Sequence, residues 1–297
     1  MKAIGTKRSM VSASVALLGL AAAASAQLQT AQPLSVVTTE DPAAPGAFTL
    51  SFGGLGLTTS SHITSTTYEL RLDPFQGTAH FESYLQHVQP LILPGGFSTG
   101  DITVEIVPGS SAGTFDAQSR IFTTSEFYAV SFTGDLSAFG LTSPVFLPSS
   151  STGLVALDPE AGGMVGMDWT GAGELANPFD PANPLTFTYA CAVNTVFPAD
   201  APNVVGLALV PDVLGLALPR DVERSLVGLL DQALARIQDG QRARAVQSLL
   251  AFAGKVSVLS GRLIDPSEAA QLVTLATQAI DLLGSGRLSD LAPRKGQ

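Results

Sequence analysis

The chain has 297 residues, 45% of them hydrophobic and 13% charged, with a formal net charge of −10. That apolar fraction excludes a disordered chain, and the length fits one large domain or two modest ones. A single cysteine excludes an internal disulfide framework and any multi-thiolate metal site. Residues 27–219 hold 17 Asp and Glu against only Arg71 and Arg120, a local net of −15, whereas 220–297 carry +2. A stretch so poor in cations cannot neutralise a phosphate backbone, which excludes nucleic acid as a partner and disfavours anionic lipid.

Residues 1–26 read as a secretory signal peptide. Lys2, Lys7 and Arg8 form the basic start, and Val11–Ala24 is a short apolar run centred on Leu17, Leu18 and Leu20. Ala24-Ser25-Ala26 supplies the small residues for cleavage after Ala26. The run is shorter than the roughly 18–20 residues of a membrane span. The expectation is an exported protein, extracellular or periplasmic, with no membrane span once the leader is removed.

Residues 27–47 form a polar, Pro-bearing lead-in. Over 48–210 the hydrophobic period is two. Phe48, Leu50 and Phe52 alternate with Thr49 and Ser51; Tyr68, Leu70 and Leu72 with Glu69 and Arg71; Ile102, Val104 and Ile106 with Asp101, Thr103 and Glu105. A further run places Ala79, Phe81, Ser83 and Leu85 opposite His80, Glu82, Tyr84 and Gln86. Strand-like stretches continue at Ser125–Thr133, Gly153–Leu157, Met164–Trp169, Leu185–Val196 and Val204–Val210. Alternation implies antiparallel strands with one wet face. Many short strands with no helical pattern between them predict an antiparallel sandwich or barrel. Two Asp-Pro turns, Leu72–Gly77 and Leu157–Gly162, and the looser Thr114–Ser119 predict hairpins: Asp caps the turn, Pro presets φ and Gly takes positive φ.

A linker is expected over 211–219, and over 220–284 the period becomes helical. Val222, Leu226, Leu229, Leu230, Ala233, Leu234 and Ile237 form one stripe that stops at Gly240. Ala245, Val246, Leu249, Phe252, Val256 and Leu259 form a second, ended by Gly261. Asp265-Pro266-Ser267-Glu268 is a helix start, opening a third stripe through Leu272, Leu275, Ala276, Ala279, Ile280 and Leu283. The prediction is a small all-α three-helix bundle, with a flexible tail over 285–297. The pieces Leu229-Leu230, Leu249-Leu250-Ala251-Phe252 and Ser260-Gly261-Arg262-Leu263-Ile264 carry a resemblance: Ser225–Leu283 resembles the FIMAH domain of secreted bacterial proteins. The resemblance implies a C-terminal accessory module with no catalytic residues. It covers about a fifth of the chain.

The reactive residues form no converging set in the sequence. Ser98 and Ser111 each sit in a Gly-x-Ser-x-Gly match, but between strands, where a hydrolase elbow needs a strand running into a helix. His80, Glu82 and His87 are the candidate metal ligands. Strand alternation puts His80 and Glu82 on one face and His87 on the other unless a bulge intervenes, and His62 lies in a polar loop. Scattered carboxylates could bind Ca²⁺ or form a glycosidase pair, yet no Ca²⁺-loop motif occurs. Tyr84, Tyr128 and Trp169 are the candidate ligand-binding rings; Trp169 is in phase with Val165 and Met167, which favours the core. Cys191 is in phase with Phe187, Tyr189 and Val193 and reads as a buried free thiol. No cofactor is implied. The expected role is an exported, non-catalytic structural, adhesive or accessory protein of the cell envelope or extracellular space. Its partner would be envelope polysaccharide or another exported protein. The alternatives are a carbohydrate- or small-ligand-binding β domain and, last, a secreted hydrolase.

Overall fold

The computed structural model describes residues 30–285. The leader with its cleavage point at Ala26, and the tail beyond Ser285, lie outside them. Ten antiparallel strands come first: β1 (Leu34–Glu40), β2 (Ala47–Phe52), β3 (Leu57–Asp73), β4 (Thr78–Val88), β5 (Ile102–Ile106), β6 (Ala112–Asp116), β7 (Ile121–Phe132), β8 (Val145–Asp158), β9 (Gly162–Leu175) and β10 (Leu185–Phe197). Four helical elements follow. A continuous helix α1 consists of Ala201–Asn203, a wider π-turn stretch Val204–Leu209, and Val210–Gly215. Then come α2 (Arg220–Gln238), α3 (Arg242–Leu259) and α4 (Pro266–Gly284). A mainly β region followed by an all-α region is what the change of period predicts.

The sheet closes on itself. β3 pairs with β4, β4 with β5 and β6, these two with β7, and the order runs on through β8, β9 and β10. β10 returns to β3 through β1 and β2. β1 and β2 share one position, and so do β5 and β6, so ten strands make an eight-position barrel. Closure leaves no long edge to template aggregation. Between sandwich and barrel, the structure selects the barrel.

The three Asp turns lie together at one end of this barrel. Asp73 Oδ1 accepts from the amides of Phe75 and Gln76, Asp158 Oδ1 from Glu160 and Ala161, and Asp116 Oδ1 from Gln118. Four residues after each Asp the chain turns left-handed, at Gly77 (φ 70°), Gly162 (φ 108°) and Arg120 (φ 60°). Helix α1 covers this end. Its Val204, Val205, Leu207, Leu209, Val210 and Val213 are buried, and Gly206 lies against Leu34 at the start of β1. The opposite end is closed by the loops 89–101 and 133–144, which bury Leu91, Leu93, Leu136 and Phe139. Phe97 and Phe139 meet there edge to face at 5.2 Å.

Three expectations are corrected. The lead-in 27–47 contains a strand, β1, which pairs with β3 from Leu34↔Leu72 to Thr39↔Thr67. The stretch Val204–Val210 is helical rather than a strand, and most of the linker 211–219 continues that helix. A helix buried between two bodies is apolar all round and shows no 3.6 period. The widened turn comes just before Pro211, whose ring would be driven into the Leu207 carbonyl by a regular α-turn. Third, His62 lies in β3, opposite Ala47, and not in a loop. The described residues from Ala31 onward form one compact unit.

The helix signals behave as expected. Asp265 accepts from the Ser267 amide at the start of α4, with Pro266 at the first helical position. Gly240 and Gly261 adopt φ 73° and 70° just past α2 and α3.

Candidate functional site

The inside of the barrel is filled by its own rings. Tyr68, Tyr84, Tyr128, Trp169, Tyr189 and Phe48 come from six different strands and meet around the axis. Ring centroids lie 5.7 Å apart for Tyr68–Tyr84, 5.0 Å for Tyr84–Tyr128, 5.0 Å for Tyr128–Trp169 and 5.7 Å for Trp169–Tyr189. The candidate binding rings Tyr84, Tyr128 and Trp169 are therefore in the core, at 3%, 0% and 1% exposure. They line no concavity open to a ligand. Burial of the rings favours partners for their polar atoms inside, and all but the Tyr128 hydroxyl have one. The Trp169 indole N–H donates to the Tyr84 hydroxyl at 3.1 Å, and Tyr68 OH meets Thr195 Oγ1 at 2.6 Å. Burial pushes the Tyr68 hydroxyl up to about 12.

One carboxylate sits in this interior. Glu126 is in phase with Phe122, Thr124 and Tyr128 on β7, the inward phase. The Ser151 hydroxyl donates to its Oε1, while Oε2 has no partner; neither have Thr124 Oγ1 and Tyr128 OH on the same strand face. Burial raises the Glu126 carboxyl above its ordinary range, opposed by the Ser151 hydrogen bond. Sequence reasoning passed over Glu126. The available signal was an acid at a core-phase position of an alternating strand. A lone buried acid can hold a proton, but among the described residues no histidine or second acid joins it and Ser151 to complete a reactive set.

The other candidates do not assemble. A bulge at Glu82 shifts the β3–β4 register between Glu69↔Ser83 and Leu70↔Phe81. Tyr84 and Gln86 thereby turn inward and Leu85 outward, a correction to the simple alternation. The bulge also brings His87 to the outer face with His80 and Glu82. His80 Nε2 is 3.8 Å from Glu82 Oε2, but His87 lies seven residues along the strand, roughly 20 Å away; its Nδ1 meets Thr103 Oγ1 at 3.3 Å. Among the described residues no three His, Cys, Asp or Glu side chains gather at one point. Ser98 Oγ accepts from the Gly100 amide within its own turn, and Ser111 Oγ from the Phe81 amide on β4. Cys191 is buried beside Gln86, whose Nε2 is 3.5 Å from Sγ, and burial pushes the thiol up to about 12. A thiol so raised is not a ready nucleophile.

Among the hollows outside the core, two are lined mainly by polar side chains. One, of about 390 Å³, lies where the barrel meets the helices and is lined by Gln118, Arg120, Asp212, Glu268 and Gln271. There Arg120 Nη2 donates to Asp212 Oδ1 at 3.0 Å and Gln271 Nε2 to Oδ2 at 3.1 Å, so Arg120 and Asp212 already satisfy each other. The other is a shallow depression of about 500 Å³ across β2, β10, β9 and β8, lined by Thr49, Ser51, Ser150, Thr170 and Thr188. It belongs to a wall of small outward residues. One cross-strand row runs Ser60, Thr49, Ala190, Thr170, Ser150 and Ser125.

No protein-family model matches the chain, and no curated protein is similar to it. Among solved structures the chain is similar to the outer membrane protein OprG from Pseudomonas aeruginosa, with 7% identity over 58% of this chain and 96% of that one. The TM-score is 0.26, too low to carry an argument. A membrane barrel needs an outward apolar band roughly 25 Å tall. Here hydroxyls, with Asp168 and Glu174 among them, face out over β9, β10, β2 and β3. Among the described residues no helix is long and apolar enough to cross a membrane.

Proposed function

We propose that this chain is an exported, non-catalytic structural or adhesive accessory protein that works through its outer surfaces, in the cell envelope or outside it. One observation carries the reading: the barrel interior is packed with its own aromatic side chains and covered at both ends, so chemistry and small-ligand storage have no chamber. Helices α2–α4, over the stretch that resembles FIMAH, serve in this reading as an accessory module docked through α1. The hydroxyl-lined depression favours a second reading, contact with a polysaccharide through hydrogen bonds rather than ring stacking. The test is expression with the native leader in a bacterial host. The chain is expected outside the cytoplasm, starting at Gln27, with no turnover on an ester, glycoside and peptide panel. Retention in the cytoplasm, or turnover lost on one point mutation, sinks the proposal.

A further inference from the structure

Helix α3 has two apolar faces. Ala245, Leu249, Phe252 and Val256 pack inward against α2 and α4. Leu250 and Val258, two turns apart on the other side, are 57% and 66% exposed, and Leu263 just beyond the helix is exposed too. The same helix contains no Asp or Glu; it carries Arg242, Arg244 and Lys255, with Arg262 following. Its outer face is thus apolar with a cationic border.

The barrel wall carries the complement. Against the hydroxyl lattice of the other strands, Phe127 on β7 and Phe146 on β8 are 50% and 61% exposed. Phe127 pairs with Pro148, and Phe146 with Ala129, so the two rings are diagonal neighbours on one face. Glu105 lies in the same row, opposite Ala129. The two basic residues of 27–219 are elsewhere: Arg71 pairs with His80 near the helix-covered end, and Arg120 is in a turn at that end. This patch is apolar with one carboxylate, that of Glu105, at its border. β8 starts at the end of the barrel away from the helices, so Phe146 cannot reach α3 within one molecule.

We propose that the outer face of α3 seats on the Phe127–Phe146–Pro148 patch of a second copy of this chain. The two faces differ, so the contact is heterologous and leaves one free face of each kind, which lets copies add head to tail. The inference rests on the reading of the chain as a structural protein and supplies its partner. Two opposed surfaces of a few exposed side chains make a small interface, so assembly is weak and concentration-dependent.

Sedimentation of the exported protein from about 5 to about 300 µM tests it. The average mass is expected to rise beyond that of one chain. Val258→Glu and Phe146→Glu are each expected to remain monomeric, with unchanged circular dichroism. Mixed in equal amounts they are expected to give a dimer and nothing larger, because each retains the face the other has lost. Leu250→Ser and Phe127→Ser replace them if either fails to fold. A wild-type monomer across the range overturns the proposal, as does unchanged assembly of either variant or a mixture that stays monomeric. Binding of the wild type but not Val258→Glu to phosphatidylglycerol vesicles also overturns it, since α3 would then face lipid. A wild-type monomer that is exported and shows no turnover refutes this contact alone and leaves the proposed function standing.

Discussion

Glu126 places a carboxyl on the inner face of the barrel. It lies in the core phase of β7 with one oxygen accepting from Ser151 and the other unpartnered. Its native carboxyl titrates above the unfolded value because burial disfavours the charge. The protonated native form therefore contributes stability fully below the unfolded value, and that stability is lost as pH rises through the native one. Glu126→Gln keeps the acceptor for Ser151 and adds a donor that can face Thr124 or Tyr128. It is expected to stabilise the fold by about 1–3 kcal/mol at alkaline pH and to flatten the loss of stability as pH rises above the ordinary carboxylate range, read by denaturant unfolding. A variant less stable than the wild type at the higher pH would mean that the charge is needed there. The same residue shows where alternation loses its force. Thr66, Gln86, Thr124, Glu126, Ser149, Ser151 and Thr195 all face inward, so a strand such as Val145–Asp158 shows no clean apolar phase. Its first half was missed for that reason, and so was the Thr- and Ser-rich first half of β3.

At the scale of elements, α1 decides how the barrel ends. Gly206 sits so close to β1 that a Cβ there would lie 2.3 Å from Leu34 Cδ1. Gly206→Ala is expected to lower stability by about 1–3 kcal/mol through overpacking, and Leu34→Ala in the same chain should recover part of that loss. A double-mutant cycle measures the coupling, and strict additivity would show that the two do not touch. Arg120 belongs to the same junction. It occupies the left-handed turn position that its two sister turns give to glycine, a conformation costing an ordinary residue on the order of 1 kcal/mol. In that position its guanidinium reaches Asp212 on α1. The turns were legible because Asp, Pro and Gly act within a few positions. The helix was not, because its residues are apolar on every side and Val-rich, a composition that a strand shares.

For the whole molecule, α1 has the barrel on one side and α2 and α4 on the other, so neither body can lose the other without exposing it. Trp169, the chain's single tryptophan, reports on the barrel interior, and far-ultraviolet ellipticity reports chiefly on the helices. The two probes are expected to follow one coincident denaturant transition; two separated midpoints would show that barrel and helices unfold independently. By itself the sequence determined that a β region precedes a helical one, where the Asp turns and helix caps fall, and that Trp169 and Cys191 point inward. Those features depend on neighbours a few residues apart. Only the tertiary structure decided that the sheet closes, that the bulge at Glu82 carries His87 to the outside, and that the rings of Tyr84 and Tyr128 fill the axis. Closure requires β3 to meet β4 on one side and β10 to reach β1 and β2 on the other, pairings that join positions as far apart as Thr39 and Val196. No local pattern encodes a contact at that separation.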